Sequence, residues 1–196
     1  MLLIEQTKVP DGALPLGAFK DHLKVGSGFG APDGQDAVLL TCLRGAMASV
    51  EARTGKSVIE RRFRWRITAW RDLGRQVLPV APVQAIEEVR VVSLSGQATV
   101  IDPGAWRLEP DTHRPALVAR GLVLPTIPVG GAAEVVFDAG YGPAWSDVPA
   151  DLAQAVMMLA AHLYETRGAD ATPALPESIA ALLAPHRLVR LFGGGR

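Results

Sequence analysis

One short stretch limits the fold more than any other. In Arg62-Phe63-Arg64-Trp65-Arg66-Ile67, apolar Phe63, Trp65 and Ile67 alternate strictly with arginine. A period of two fits a β-strand with one face on a core and the other on charge or water. A helix would spread those arginines around its whole circumference, so this stretch belongs in a sheet. Further strand-like runs follow at 76–80, 86–94, 98–101 and 133–137, with a weaker one at 117–124, separated by Pro and Gly.

On both sides of this region the spacing becomes helical. A first helix is predicted over 16–25, with Leu16, Phe19 and Leu23 on one face, stopping at the glycine-rich 26–30 loop. A second is predicted over 33–54, where Leu39, Leu43, Met47 and Val50 make one apolar stripe. Asp33 or Asp36 supplies an acid at its start, and Gly55 falls where a C-cap glycine belongs. Beyond 140–143, Pro149 suits the first turn of another helix, and Asp147 and Asp151 complement its dipole. Leu152, Val156, Leu159 and Leu163 continue that helix to Gly168, and a short one over 176–184 carries Ile179, Leu182 and Leu183. The expected class is α+β: a helical bundle of N-terminal helices packed with C-terminal ones, residues 1–59 and 141–187, carrying an inserted β-rich unit at 60–140. Residues 188–196 are left as a C-terminal arm.

Composition narrows the function. A chain of 196 residues is expected to hold one domain, or one with an insertion, and 48% hydrophobic residues suffice for a core. Zero formal net charge removes the long-range attraction of a free-standing nucleic-acid binder. A sole cysteine, Cys42, excludes an internal disulfide framework and a cysteine-based zinc site. No run approaches the roughly 20 apolar residues of a membrane span, and Met1–Lys8 lacks the marks of a signal peptide. A soluble intracellular protein with no membrane partner is the expectation.

Signals for catalysis fail on inspection. Thr54-Gly55-Lys56-Ser57 hints at a phosphate loop, but that loop needs a glycine where Val50 stands and a strand where a helix is predicted. Gly26, Gly28 and Gly30 also follow a helix, against the order of a dinucleotide fold. His162 and Glu165, three apart on a helix, could share a face and hold a metal, which defines the alternative of a small metal-dependent enzyme. Matching carboxylates on other helices are missing, and the polar edge of an amphipathic helix explains the pair. Cys42 falls inside an apolar helix, where a buried, inert thiol is expected. No catalytic, cofactor-binding or metal residue is assigned, no cofactor is expected, and the chain does not read as an enzyme.

Charge is distributed unevenly. Residues 61–75 hold six arginines and one acid, a local +5, whereas 132–166 hold five acids and no Lys or Arg. Such blocks either pair within the chain, stay solvated, or present opposite patches to neighbouring copies in a head-to-tail ring.

Several segments together resemble the head–tail connector, or adaptor, proteins of long-tailed phages, prophages and gene transfer agents. Phe19-Lys-Asp-His-Leu-Lys-Val25 and the following helix ending in Val50-Glu-Ala-Arg-Thr-Gly55 are similar to the family's opening helices. Phe63-Arg-Trp-Arg-Ile-Thr-Ala-Trp70 and Val77-Leu-Pro-Val-Ala-Pro-Val83 resemble its central strand and Pro-rich turn. Most specific are Val135-Val-Phe-Asp-Ala-Gly-Tyr-Gly142, Val148-Pro-Ala-Asp-Leu152 and His162-Leu-Tyr-Glu-Thr-Arg167, in that order and spacing. Leu182-Leu-Ala-Pro-His-Arg187 resembles the family's end, while the glycines at 193–195 have no counterpart in the resemblance.

The resemblance implies structural work in a virion or gene-transfer-agent particle assembled in the bacterial cytoplasm. Its implied partners are further copies of itself in a ring, typically of twelve, the portal protein, and a stopper or tail-completion protein. Double-stranded DNA would pass through the channel without sequence recognition. On that reading Arg62, Arg64 and Arg66 form a basic face toward the DNA channel or the next subunit. Leu188, Val189, Arg190, Leu191 and Phe192, apolar for a chain end, form an arm that docks on the portal.

Overall fold

In the computed structural model, which describes residues 1–24, 34–167 and 175–187, the chain divides into two compact units. One comprises Met1–Ala13 and Ser57–Val148, the other Leu14–Lys56 and Pro149–Arg196. The class is α+β.

The first unit holds eight strands: β1 (Leu2–Glu5), β2 (Arg61–Ile67), β3 (Arg75–Val77), β4 (Val83–Val92), β5 (Ala98–Val100), β6 (Trp106–Glu109), β7 (Ala116–Ala119) and β8 (Ala132–Ala139). They form a five-stranded sheet, β1-β2-β8-β4-β5, and a three-stranded sheet, β3-β7-β6, with every pairing antiparallel. The alternation at 62–67 becomes geometry: Phe63, Trp65 and Ile67 are buried while Arg66 is exposed. Their face joins Val89, Val135 and Phe137 from the same sheet with Trp106 and Leu117 from the smaller one in a single core. Phe63 and Phe137, directly paired across β2 and β8, stack with ring centroids 5.7 Å apart. Removing that apolar surface from water is the main force closing the two sheets on each other.

Strand limits differ from expectation where Pro or Gly intervenes. The run predicted over 76–80 starts at Arg75 and ends at Val77, because Pro79 has no N–H to extend a ladder. The weaker run at 117–124 contracts to β7, ending short of Gly121. The run at 133–137 lengthens at both ends into the central strand β8. Two strands were not anticipated. β1 is four residues of nearly continuous apolar character with no alternation to read, and β6 is equally short.

The second unit contains α1 (Leu16–His22), α2 (Gly34–Thr54), α3 (Ala150–Glu165) and α4 (Glu177–Leu183). The N-terminal pair packs against the C-terminal pair, α2 on α3 and α4, α1 on α2 and α3. Leu39, Leu43, Met47 and Val50 are buried, as their spacing demands, and so are Leu152, Val156 and Leu159 on α3; Leu163 is half-buried. Gly55 closes α2 at φ +69°, a left-handed conformation that a side chain would oppose. Pro149 sits one position earlier than expected, as the N-cap of α3, and Asp151 occupies the first turn. Asp147 belongs instead to a short 3₁₀ turn, where its carboxylate accepts from Ala144 N–H at 2.9 Å. The loop read at 26–30, Asp33, the helix end at Gly168 and the arm 188–196 lie outside the described residues.

Candidate functional site

The residues with the clearest functional expectation are the arginines of β2. Arg62, Arg64 and Arg66 share the face opposite the core, and β8 and β4 bring acids to the same face. Arg62 lies opposite Asp138 and donates to both of its oxygens, Nε to Oδ1 at 2.8 Å and Nη2 to Oδ2 at 2.7 Å. A second acid, Glu87, stands 3.3 Å from the same guanidinium. Arg66 lies opposite Glu134 and reaches Oε1 at 3.2 Å, while Arg90 on β4 grips Oε2 from the other side at 2.6 and 2.8 Å. Glu134 is only 6% exposed, so each of its oxygens carries an arginine where water is scarce.

Titration follows this geometry. The hydrogen bond from Arg62 holds the Asp138 carboxyl below its ordinary pKa, against the opposing effect of partial burial. The same bond raises Arg62 further above its already high value. Both groups are therefore charged at any physiological pH.

Arg64 differs from its two neighbours. It faces Ile4 on β1 and Val136 on β8, neither of which can pair with it, and it makes no ion pair among the described residues. Of the other arginines in the basic block, Arg61 donates to Ser57 Oγ and reaches Glu5 at 3.3 Å, and Arg75 bonds Glu109 at 2.8 Å. The +5 read from the sequence is thus largely balanced within the β unit.

The segment Val135–Gly142 owes its glycines to packing. Gly140 has φ +142°, and a Cβ there would run into the backbone of Ile59 and Glu60. A Cβ on Gly142 would overlap the Asp147 side chain. Glu60 N–H donates to Gly142 O at 2.9 Å, which ties this corner to the start of β2. The motif therefore sets how the chain enters and leaves the central strands.

Residues considered for chemistry are not assembled into a reaction centre. His162 is half-buried on α3, with Nε2 making no hydrogen bond among the described residues, and Glu165 is exposed. Among the described residues no three His, Cys, Asp or Glu side chains lie close enough to hold a metal ion. Thr54 and Ser57 turn their hydroxyls onto backbone carbonyls, Val50 O at 2.8 Å and Ile59 O at 2.9 Å. Cys42 is half-buried rather than buried, and desolvation still pushes its thiol pKa up, against a smaller opposing effect of Arg167. A thiol shifted that way is a poor nucleophile. His186 Nε2 lies 2.5 Å from Asp151 Oδ2, a contact that fixes the end of the last helical turn on α3. Burial acts against the Asp151 charge, but the bonds from His186 and from Leu152 N–H outweigh it and lower its pKa. No described helix is long and apolar enough to cross a membrane. The arm residues Leu188, Val189, Arg190, Leu191 and Phe192 lie outside the described residues.

No protein-family model matches the chain, and no curated protein matches it significantly. Solved structures do. The chain is 47% identical to a chain of the neck of an empty gene transfer agent particle computed with C6 symmetry, covering 99% of each, with a TM-score of 0.91. It is likewise 47% identical, over 99% of each chain, to one in the virion of a native gene transfer agent particle, at a TM-score of 0.88. A third, in the neck of a native particle computed with C12 symmetry, is 46% identical over 99% of each chain, at 0.86. The chain therefore belongs to the neck family of gene transfer agent particles, phage-like head–tail connector proteins of the virion.

Proposed function

We propose that this protein forms a ring in the neck of a gene transfer agent particle, on the portal vertex, where it extends the DNA channel and links the capsid to the stopper and tail. The observation that carries this reading is likeness over the full chain, 47% identity at a TM-score of 0.91, to a neck component of such a particle. Neck structures of its relatives computed with six- and twelve-fold symmetry support a cyclic arrangement of copies. The work is structural rather than enzymatic. Immunogold labelling of purified particles with an antibody to the chain tests it: label at the head–tail joint supports the reading, and label on tail tips or capsid faces contradicts it.

Within that ring the arginine face narrows to one residue. Arg62 and Arg66 spend their charge on Asp138 and Glu134, so Arg64 is the member of the trio left to meet a phosphate or an acid of the next subunit. Contact with DNA there would be independent of sequence and weakened by salt. The segment Leu188–Phe192 is the docking arm toward the portal on this reading, because four of its five residues are apolar.

A further inference from the structure

The five-stranded sheet has two different free edges. β1 pairs only with β2 and β5 only with β4, and no other described strand joins either. The phase of each ladder determines which backbone groups point outward. Gln6 N–H donates to Arg62 O, and Ile101 N–H donates to Val89 O. Bonded and non-bonded pairs alternate along an antiparallel ladder. Leu2 and Ile4 therefore bond inward, and Leu3 and Glu5 turn their N–H and C=O to the open side. By the same alternation Thr99 bonds inward while Ala98 and Val100 face outward. Both edges offer donors and acceptors at the same two-residue spacing.

Both edges are thinly protected: each strand is short, and Glu5, engaged by Arg61 at 3.3 Å, is the one charge on either. Edge strands are ordinarily guarded by charge, Pro or a covering element. Residues 94–100 are all exposed and contain no charge and no Pro, and β1 reads Leu-Leu-Ile-Glu. The exposed Leu2 and Val100, at 54% and 60%, are the two ends of one cross-strand row: Leu2 opposite Arg66, Arg66 opposite Glu134, Glu134 opposite Arg90, Arg90 opposite Val100. The middle of the row is satisfied by ion pairs, and each end is an apolar side chain in water.

Direction completes the argument. Five antiparallel strands leave β1 and β5 running the same way, so β5 of one copy beside β1 of the next makes a parallel pair. Because the two edges differ, such a contact passes head to tail, the kind that closes into a ring. The cyclic symmetry of the relatives' necks makes a second copy of this chain the fitting occupant. We propose that β5 of one copy pairs with β1 of its neighbour, Val100 packing on Leu2, so that the sheets run continuously around the ring. The inference rests on the ring reading above.

Paired cysteines test it in particles. With Leu2→Cys and Val100→Cys in one chain, mild oxidation of purified particles should give a ladder of covalent oligomers on a non-reducing gel, and either single variant should give none. Joined particles containing the double variant without a ladder would overturn strand pairing and leave the neck reading intact. Absence of the wild-type chain from purified particles would overturn both. Val100→Pro is the second probe, since it removes one outward N–H and keeps the inward ladder. The isolated variant should melt within about 2 °C of wild type while joined particles fall at least about tenfold, as expected for a lost edge donor. Wild-type particle yield with this variant would contradict the proposal.

Discussion

Arg62 and Asp138 stand directly opposite each other on β2 and β8 and close a two-point ion pair at 2.7 and 2.8 Å. The pair joins the basic block of the sequence to the acidic block, which lie far apart along the chain and adjacent in the sheet. Glu134, held between Arg66 and Arg90, repeats the relationship two rows away, beyond the Arg64–Val136 row. The unevenness of charge along the chain thus serves first to fix the register of the central strands, since a slip by one residue would drive these charges into the core.

Glu134 is the member of this network with most to lose. Glu134→Ala would leave the exposed Arg66 and the half-buried Arg90 without their shared acid, at a cost of about 2 kcal/mol. Tm should fall by about 4–8 °C for a chain of this size. Arg64→Ala, which breaks no ion pair, should leave Tm unchanged, and thermal melts of the two variants side by side check the contrast.

Gly140→Ala should destabilise as well, for a different reason. Its Cβ would meet the backbone of Ile59 and Glu60, which cannot move aside as a flexible side chain could, and φ is +142°. A loss of about 2–4 kcal/mol is expected, read as a drop in the urea midpoint with m unchanged.

Stability should also fall in acid. The Asp138 and Asp151 carboxyls have lowered pKa values in the folded chain, so their contribution is fully present above the unfolded carboxylate value. It is lost as pH falls below about 4 and through the folded values. Asp138→Asn should flatten that part of the pH–stability curve, and urea midpoints taken across the range measure it.

Charge reversal separates the roles open to Arg64. Arg64→Glu that still joins heads to tails but loses packaged DNA points to the channel; loss of joined particles points to the neighbouring subunit. Truncation after Arg187 keeps the His186–Asp151 contact and should leave the Tm of the isolated chain within about 2 °C while portal attachment is lost, as for a segment that packs only on a partner. A large fall in Tm would mean that the arm packs on its own bundle.

Much of this architecture was legible because periodicity is a direct imprint of burial. Phe63, Trp65 and Ile67 at spacing two, and Leu39, Leu43, Met47 and Val50 at helical spacing, occupy the buried faces those periods require. β1 and β6 escaped because four residues are too few to display a period, and they are held by their neighbours rather than by their own pattern. For the arginines the strand and its polar face were readable, but not their partners. Asp138 and Glu134 find Arg62 and Arg66 only through the pairing of β2 with β8, a long-range contact that no local pattern encodes.

Electron microscopy of particles from cells lacking this gene tests the central claim most directly. The neck reading predicts filled heads and separate tails that do not join, with joining restored by the gene supplied in trans. Complete tailed particles in its absence would contradict it.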